Sequence, residues 1–130
     1  MTESIYDTDL FPAPGGKVET TITLSLADQE VEIPVFLVNG TAAGPTLAVT
    51  GGIHGAEYAS IEAALQLGRS IEAEAVRGKL AIVPVVNVPA FYGRLLYVPP
   101  LDNKNLNRLF PGTPEGTASE QLADWLYQSV

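Results

Sequence analysis

The chain has no cysteine, and one histidine, one methionine and one tryptophan in 130 residues. Without cysteine there is neither a disulfide nor a thiolate metal site. Basic residues are scarce: 7 Lys and Arg stand against 15 Asp and Glu, for a net charge of −8. There is no basic patch to neutralise phosphates, which argues against nucleic acid or an anionic membrane as a partner. A basic substrate-binding site within the acidic whole is still allowed. No segment reaches the roughly 20 consecutive apolar residues of a membrane span. The acidic Met1–Leu10 stretch lacks the apolar run of a signal peptide. These absences lead to the expectation of a soluble, cytoplasmic protein.

What is present is material for a core. Hydrophobic residues make up 46% and charged residues 17%, an ordinary globular composition. A chain of this length suits one domain that buries roughly two-thirds of its unfolded surface.

Residues 1–16 are polar, end in Phe11-Pro12-Ala13-Pro14-Gly15-Gly16, and read as a loosely held arm. From Lys17 the pattern alternates. Val18, Thr20, Ile22 and Leu24 recur at period two, as do Val31, Ile33, Val35 and Leu37, with Ala27-Asp28-Gln29 between them. That predicts a hairpin or two adjacent antiparallel strands. Asn39-Gly40 and Gly44-Pro45 punctuate a loop, and Thr46–Thr50 reads as a short buried strand. From Glu57 to about Ile71, apolar Ile61, Ala64, Leu65 and Leu67 have helical spacing. After Arg77-Gly78, the stretch Lys79–Val86 reads as a further apolar strand. Strand, helix and strand in this order make a βαβ unit. Residues 87–115 are rich in Pro and Asn and read as a long functional loop. Thr117 or Ser119 then caps a helix containing Leu122, Trp125 and Leu126. The predicted fold is a three-layer α/β/α domain with a mixed sheet. The chain stops on that helix, where an alternating pattern would next place a strand. A truncated domain with an uncovered sheet edge is therefore expected, and self-association with it.

Two clusters carry chemistry. The first, Gly51-Gly52-Ile53-His54-Gly55-Ala56-Glu57, lies where a strand gives way to a helix, the place where open α/β sheets bind ligands. A His and a Glu three residues apart can aim a ring nitrogen and a carboxylate oxygen at one metal ion. A glycine-rich turn with a stray histidine explains the same string. A phosphate loop is weaker, for no Gly-Lys-Ser/Thr follows. Because His54 is the only histidine, a third zinc ligand must be a carboxylate of this chain or lie beyond residue 130. The second cluster is Asn103-Lys104-Asn105-Leu106-Asn107-Arg108-Leu109-Phe110-Pro111-Gly112. An Asn amide beside a guanidinium, as in Asn107-Arg108, can hold a carboxylate; Arg94 stands earlier in the same loop, just after Ala90-Phe91-Tyr92-Gly93. A solvated loop is the plain alternative for both. There is no G-x-S-x-G nucleophile elbow, which disfavours a serine hydrolase.

GGIHGAEY, an apolar strand, and NVPAFYGRLLYVPPLDNKNLNRLFPG occur together in that order, from about Thr46 to Gly112. This combination resembles the aspartoacylase/succinylglutamate desuccinylase branch of the zinc carboxypeptidase-like hydrolases. The resemblance implies that residues 17–130 are the N-terminal part of the catalytic domain. It implies Zn²⁺ as cofactor with His54 and Glu57 as metal ligands. It also implies Asn107 and Arg108 as holders of the substrate carboxylate, and Arg94 as the group at the scissile carbonyl or its oxyanion. The reaction implied is hydrolysis of an amide in a small N-acyl amino acid or a similar carboxylate-bearing molecule. The family's further histidine ligand and glutamate base match nothing in this chain. The resemblance therefore implies an incomplete site and little activity for these 130 residues alone; a non-catalytic binding or assembly module is the alternative. The family carries Asp-Gly where this chain has Asp102-Asn103, and Asn is among the few residues that accept a left-handed backbone.

Overall fold

The structure, a computed structural model, describes residues 10–130. Strands β1 (Gly16–Leu26) and β2 (Gln29–Asn39) form an antiparallel hairpin in unbroken register, from Gly16 opposite Asn39 to Leu26 opposite Gln29. Their two-residue loop is Ala27-Asp28, with φ of 46° and 66°. Two left-handed residues in succession match the twist of the flanking strands, which is why such loops close hairpins. Neither is glycine, and the Ala27 N–H is held by Gln121 Oε1 at 2.8 Å.

The βαβ unit follows as β3 (Ala42–Thr50), α1 (Tyr58–Ser70) and β4 (Arg77–Val83), with β3 and β4 parallel. Strand β4 also pairs antiparallel with β2, giving the mixed sheet order β1-β2-β4-β3. A one-turn helix α2 (Val88–Tyr92), a 3-10 turn at Leu106–Arg108 and helix α3 (Ala118–Ser129) complete the described chain.

Period two decides the layers, because successive strand residues face opposite sides of the sheet. Phe36, Val38, Leu80 and Ile82 cluster with Ala64 of α1 on one face. Val35, Leu37, Ala81 and Val83 cluster with Leu122, Ala123 and Trp125 of α3 on the other. The three-layer α/β/α arrangement with a mixed sheet is thus the observed fold. Helix α1 approaches its face so closely that a Cβ at Gly68 would lie 2.3 Å from the Phe36 ring. Trp125 is fully buried, and its indole N–H has no acceptor among the described residues.

The structure corrects several local expectations. Thr46–Thr50 is not a buried strand: it lies at the sheet edge, and Leu47 is 59% exposed. Apolar composition signals a capacity for burial, but position in the sheet decides whether it is used. Gly44 and Pro45 fall inside β3 rather than in a loop, at the register irregularity between Ala42 and Thr46. An edge strand tolerates proline because one side of its ladder needs no donor. Strand β4 stops at Val83, three residues short of the expected end. The predicted loose arm is partly tied down. Asn39 Nδ2 donates to Pro12 O at 2.8 Å, Gly15 N–H to Asn39 O at 2.7 Å, and Phe11 packs on the core. The rest of that arm, residues 1–9, lies outside the described residues. No helix among the described residues is long and apolar enough to cross a membrane.

Candidate functional site

The turn after β3 is built by backbone contacts with the end of β4. Gly51 N–H donates to Val83 O at 2.9 Å, Val86 N–H to Gly51 O at 3.0 Å, and Asn87 N–H to Gly52 O at 2.9 Å. Ser60 on α1 accepts from Gly52 N–H at 3.2 Å and donates its hydroxyl to Glu57 O at 2.8 Å. The turn rests directly on α2, and a Cβ at Gly55 would come within 2.3 Å of the Ala90 carbonyl carbon. Only glycine fits there.

Asn87, fully buried, joins the two pieces. Its Oδ1 caps α2 by accepting from Ala90 N–H at 3.3 Å, and its Nδ2 donates to Ile53 O at 3.2 Å. The residue next to His54 is thereby fixed to the start of α2.

On this platform His54 Nδ1 lies 2.7 Å from Glu57 Oε1, and the His54 N–H lies 3.3 Å from Glu57 Oε2. Glu57 is the N-cap residue of α1, but its side chain makes no capping bond to that helix; the carboxylate turns back to His54 instead. The His54 side chain is 13% exposed and that of Glu57 45%, so the pair has a sheltered nitrogen and an open carboxylate. The other ring nitrogen, Nε2, lies 2.9 Å from Asn105 Oδ1.

That last contact assigns the protons. Asn105 Oδ1 also accepts from Asn107 N–H at 3.1 Å, which identifies it as the amide oxygen rather than its nitrogen. An oxygen only accepts, so His54 Nε2 carries the proton. Nδ1 then faces a carboxylate oxygen at 2.7 Å. That separation is a hydrogen-bond distance; two zinc bonds of roughly 2.0–2.2 Å at a tetrahedral angle would open it to about 3.3 Å. An imidazole nitrogen and a carboxylate oxygen are ordinary zinc donors, and the back-side hydrogen bond to Asn105 is the kind that orients a ligating imidazole. The pair therefore fits a metal. It would supply two ligands, and no group of three or more His, Asp or Glu gathers around a possible metal position among the described residues.

The remaining expected site residues are placed unevenly. Asn107 and Arg108 sit in the 3-10 turn immediately after Asn105, both exposed. Arg108 N–H donates to Asn105 O at 3.0 Å. Arg94 lies just past α2 in the left-handed region, with φ of 54°, exposed. The ring that touches His54 is instead Tyr97, edge-to-face at a centroid distance of 5.0 Å. Asn103 does adopt the left-handed backbone, with φ of 55°.

The family model for the succinylglutamate desuccinylase/aspartoacylase catalytic domain matches residues 43–129. The chain belongs to this family. Among its relatives, the N-α-acetyl-L-2,4-diaminobutyric acid deacetylase of Halomonas elongata is 46% identical over 96 residues, covering 73% of this chain and 27% of that protein. A succinylglutamate desuccinylase/aspartoacylase from Rhodobacter sphaeroides superposes with a TM-score of 0.81 at 35% identity, over 92% of this chain and 38% of the other. The product-bound ectoine utilization protein EutE (DoeB) of Ruegeria pomeroyi superposes with a TM-score of 0.77 at 36% identity, over 92% and 38%. The chain thus spans roughly a quarter to two-fifths of these relatives' lengths.

Three contacts around His54 and its turn escape sequence reasoning. Asn105, Asn87 and Tyr97 are each one of several like residues in a loop-rich stretch, and no spacing singles them out. A faint signal exists for Asn105, since Asn two residues before another backbone N–H favours a local turn.

Proposed function

We propose that this chain provides His54 and Glu57 as two ligands of a zinc centre in an amide hydrolase that deacylates small N-acyl amino acids. The observation that carries the reading is the pair Nδ1–Oε1 at 2.7 Å with Nε2 held from behind by Asn105. When bound, zinc would polarise a carbonyl and make water a better nucleophile near neutral pH. The chain's own residues do the positioning. Asn105 holds the imidazole in the tautomer that leaves Nδ1 as the metal-facing atom. Arg108, with Asn107 beside it, offers a two-pronged cationic fork to a substrate carboxylate. Arg94 supplies a second cation for the scissile carbonyl, with its side chain free to swing in from an exposed position.

The acetyl-diaminobutyrate deacetylase of Halomonas elongata supports an acyl group on an amino acid amine as the substrate class. The third ligand and the general base belong, in this reading, to sequence that this chain does not include. Metal analysis and a deacylation assay on the 130-residue chain should then give weak zinc binding and no turnover. In the protein that carries the remaining ligands, His54→Ala and Glu57→Gln should each abolish both zinc retention and hydrolysis. Full zinc stoichiometry in both variants would overturn the assignment.

A further inference from the structure

We infer that Asp102 is the positioning residue that holds the Asn105–Arg108 segment against helix α3 and so sets the contact between Asn105 and His54. Its consequence for catalysis rests on the proposed zinc site, but the anchor itself is read from contacts that do not involve a metal.

Asp102 Oδ2 accepts from Ser119 N–H at 2.7 Å, and Oδ1 accepts from the Ser119 hydroxyl at 2.7 Å and from Lys104 N–H at 3.1 Å. Ser119 is the second residue of α3 and is buried. Its N–H is one of the donors that a helix start leaves unpaired, and the helix dipole there favours an anionic acceptor. The sequence marks Ser119 only as a possible cap of its own helix; in the structure it is the receptor for a carboxylate 17 residues earlier.

The loop reaches that receptor through the left-handed Asn103, which turns the chain so that Lys104 N–H returns to Asp102. Asn105 comes next and meets His54. Leu106 follows, fully buried in the cluster that holds Leu122 and Trp125 of α3. At the far end Thr113 N–H donates to Glu120 O at 3.2 Å. The segment is therefore fastened to α3 on both sides of Asn105. A second ionic tether, Lys104 Nζ to Glu120 Oε2 at 3.1 Å, has side chains 39% and 27% exposed, and pairs this open to solvent contribute little. The two short charge-assisted bonds of Asp102 are the stronger hold.

A helix cap with no bearing on the site would make the same contacts, so the test reads His54. As the sole histidine, its imidazole gives one unambiguous set of resonances in the ¹⁵N-labelled, metal-free chain. The Trp125 indole reports the seating of α3. Asp102→Ala should raise the exchange rate of the His54 Nε2 proton at least tenfold while the Trp125 indole resonance stays in place. Asp102→Asn should restore part of the protection, since an amide oxygen can still accept from Ser119 N–H. Ser119→Ala, which deletes one of the short bonds, should fall between wild type and Asp102→Ala. Wild-type exchange at His54 in both Asp102→Ala and Ser119→Ala would overturn the inference. If Asp102→Ala loses the Trp125 signature as well, Ser119→Ala decides: intermediate exchange supports the anchor and unchanged exchange sinks it. Zinc chloride added to the wild type reads the metal pair separately. No zinc response beside a clear Asp102 effect removes the zinc reading and leaves the anchor standing.

Discussion

Asn105 Oδ1 lies 2.9 Å from His54 Nε2, across 51 residues of chain. This one bond joins the two motifs that the sequence presents as separate strings. It also places the ring proton on Nε2, because the same oxygen already accepts from Asn107 N–H. The imidazole is thus oriented from the loop that also presents Arg108.

If that bond orients a metal ligand, Asn105→Ala should weaken zinc binding by about 10–100-fold, the usual cost of removing such a partner. Asn105→Asp, which keeps an acceptor in place, should retain most of the affinity. Isothermal titration of the metal-free protein with zinc checks both.

Asn87→Ala should cost about 1–3 kcal/mol, because it leaves the buried Ile53 carbonyl and Ala90 N–H without their partner. Urea unfolding gives the loss. The His54 resonances should shift in the same variant, since Ile53 is its neighbour in the turn.

Much of this architecture is legible in the sequence. Alternation along β2 separates Phe36 and Val38 from Val35 and Leu37, and the structure sends these pairs to opposite faces of the sheet. The βαβ unit and the capped last helix are equally plain. Burial of β3 is misread because TLAVT has the composition of a central strand, whereas its place at the edge is set by pairing with β4 alone. The site is legible only as two motifs. His54 and Glu57 are brought together, but the residue that touches the far side of the imidazole is Asn105 and the ring set edge-to-face against it is Tyr97. Such choices among neighbouring Asn and Tyr residues depend on the left-handed turn at Asn103 and the docking of Asp102 on Ser119, which are tertiary events.

Gly55→Ala should destabilise the fold by about 1–3 kcal/mol, the typical cost of forcing atoms into a filled space. The new Cβ would meet the Ala90 and Phe91 backbone, which has no flexible side chain to give way. The midpoint of denaturant unfolding should fall, and the turn that carries His54 should lift away from α2.

The stability of the chain should decline in acid through Asp102. Burial raises its carboxyl pKa, but hydrogen bonds from the Ser119 hydroxyl and N–H, from Thr117 and from Lys104 N–H outweigh that, so the folded value lies below the ordinary 3.8. A carboxyl held below its unfolded pKa stabilises the fold above that pKa, and the gain is lost as pH falls through the folded one. Thermal unfolding should therefore show a decline below about pH 4 that is shallower in Asp102→Asn. Glu120, lowered by the Thr117 N–H and by Lys104, adds to the decline in both proteins.

The most direct test of the zinc reading is a titration of the metal-free chain with zinc chloride, followed through the two imidazole nitrogens of His54. A large shift at Nδ1, an Nε2 that keeps its proton on Asn105, and loss of the response in Glu57→Gln are the expected results. A Nδ1 resonance that stays in place at saturating zinc, or a metal bound through Nε2, would contradict the zinc reading.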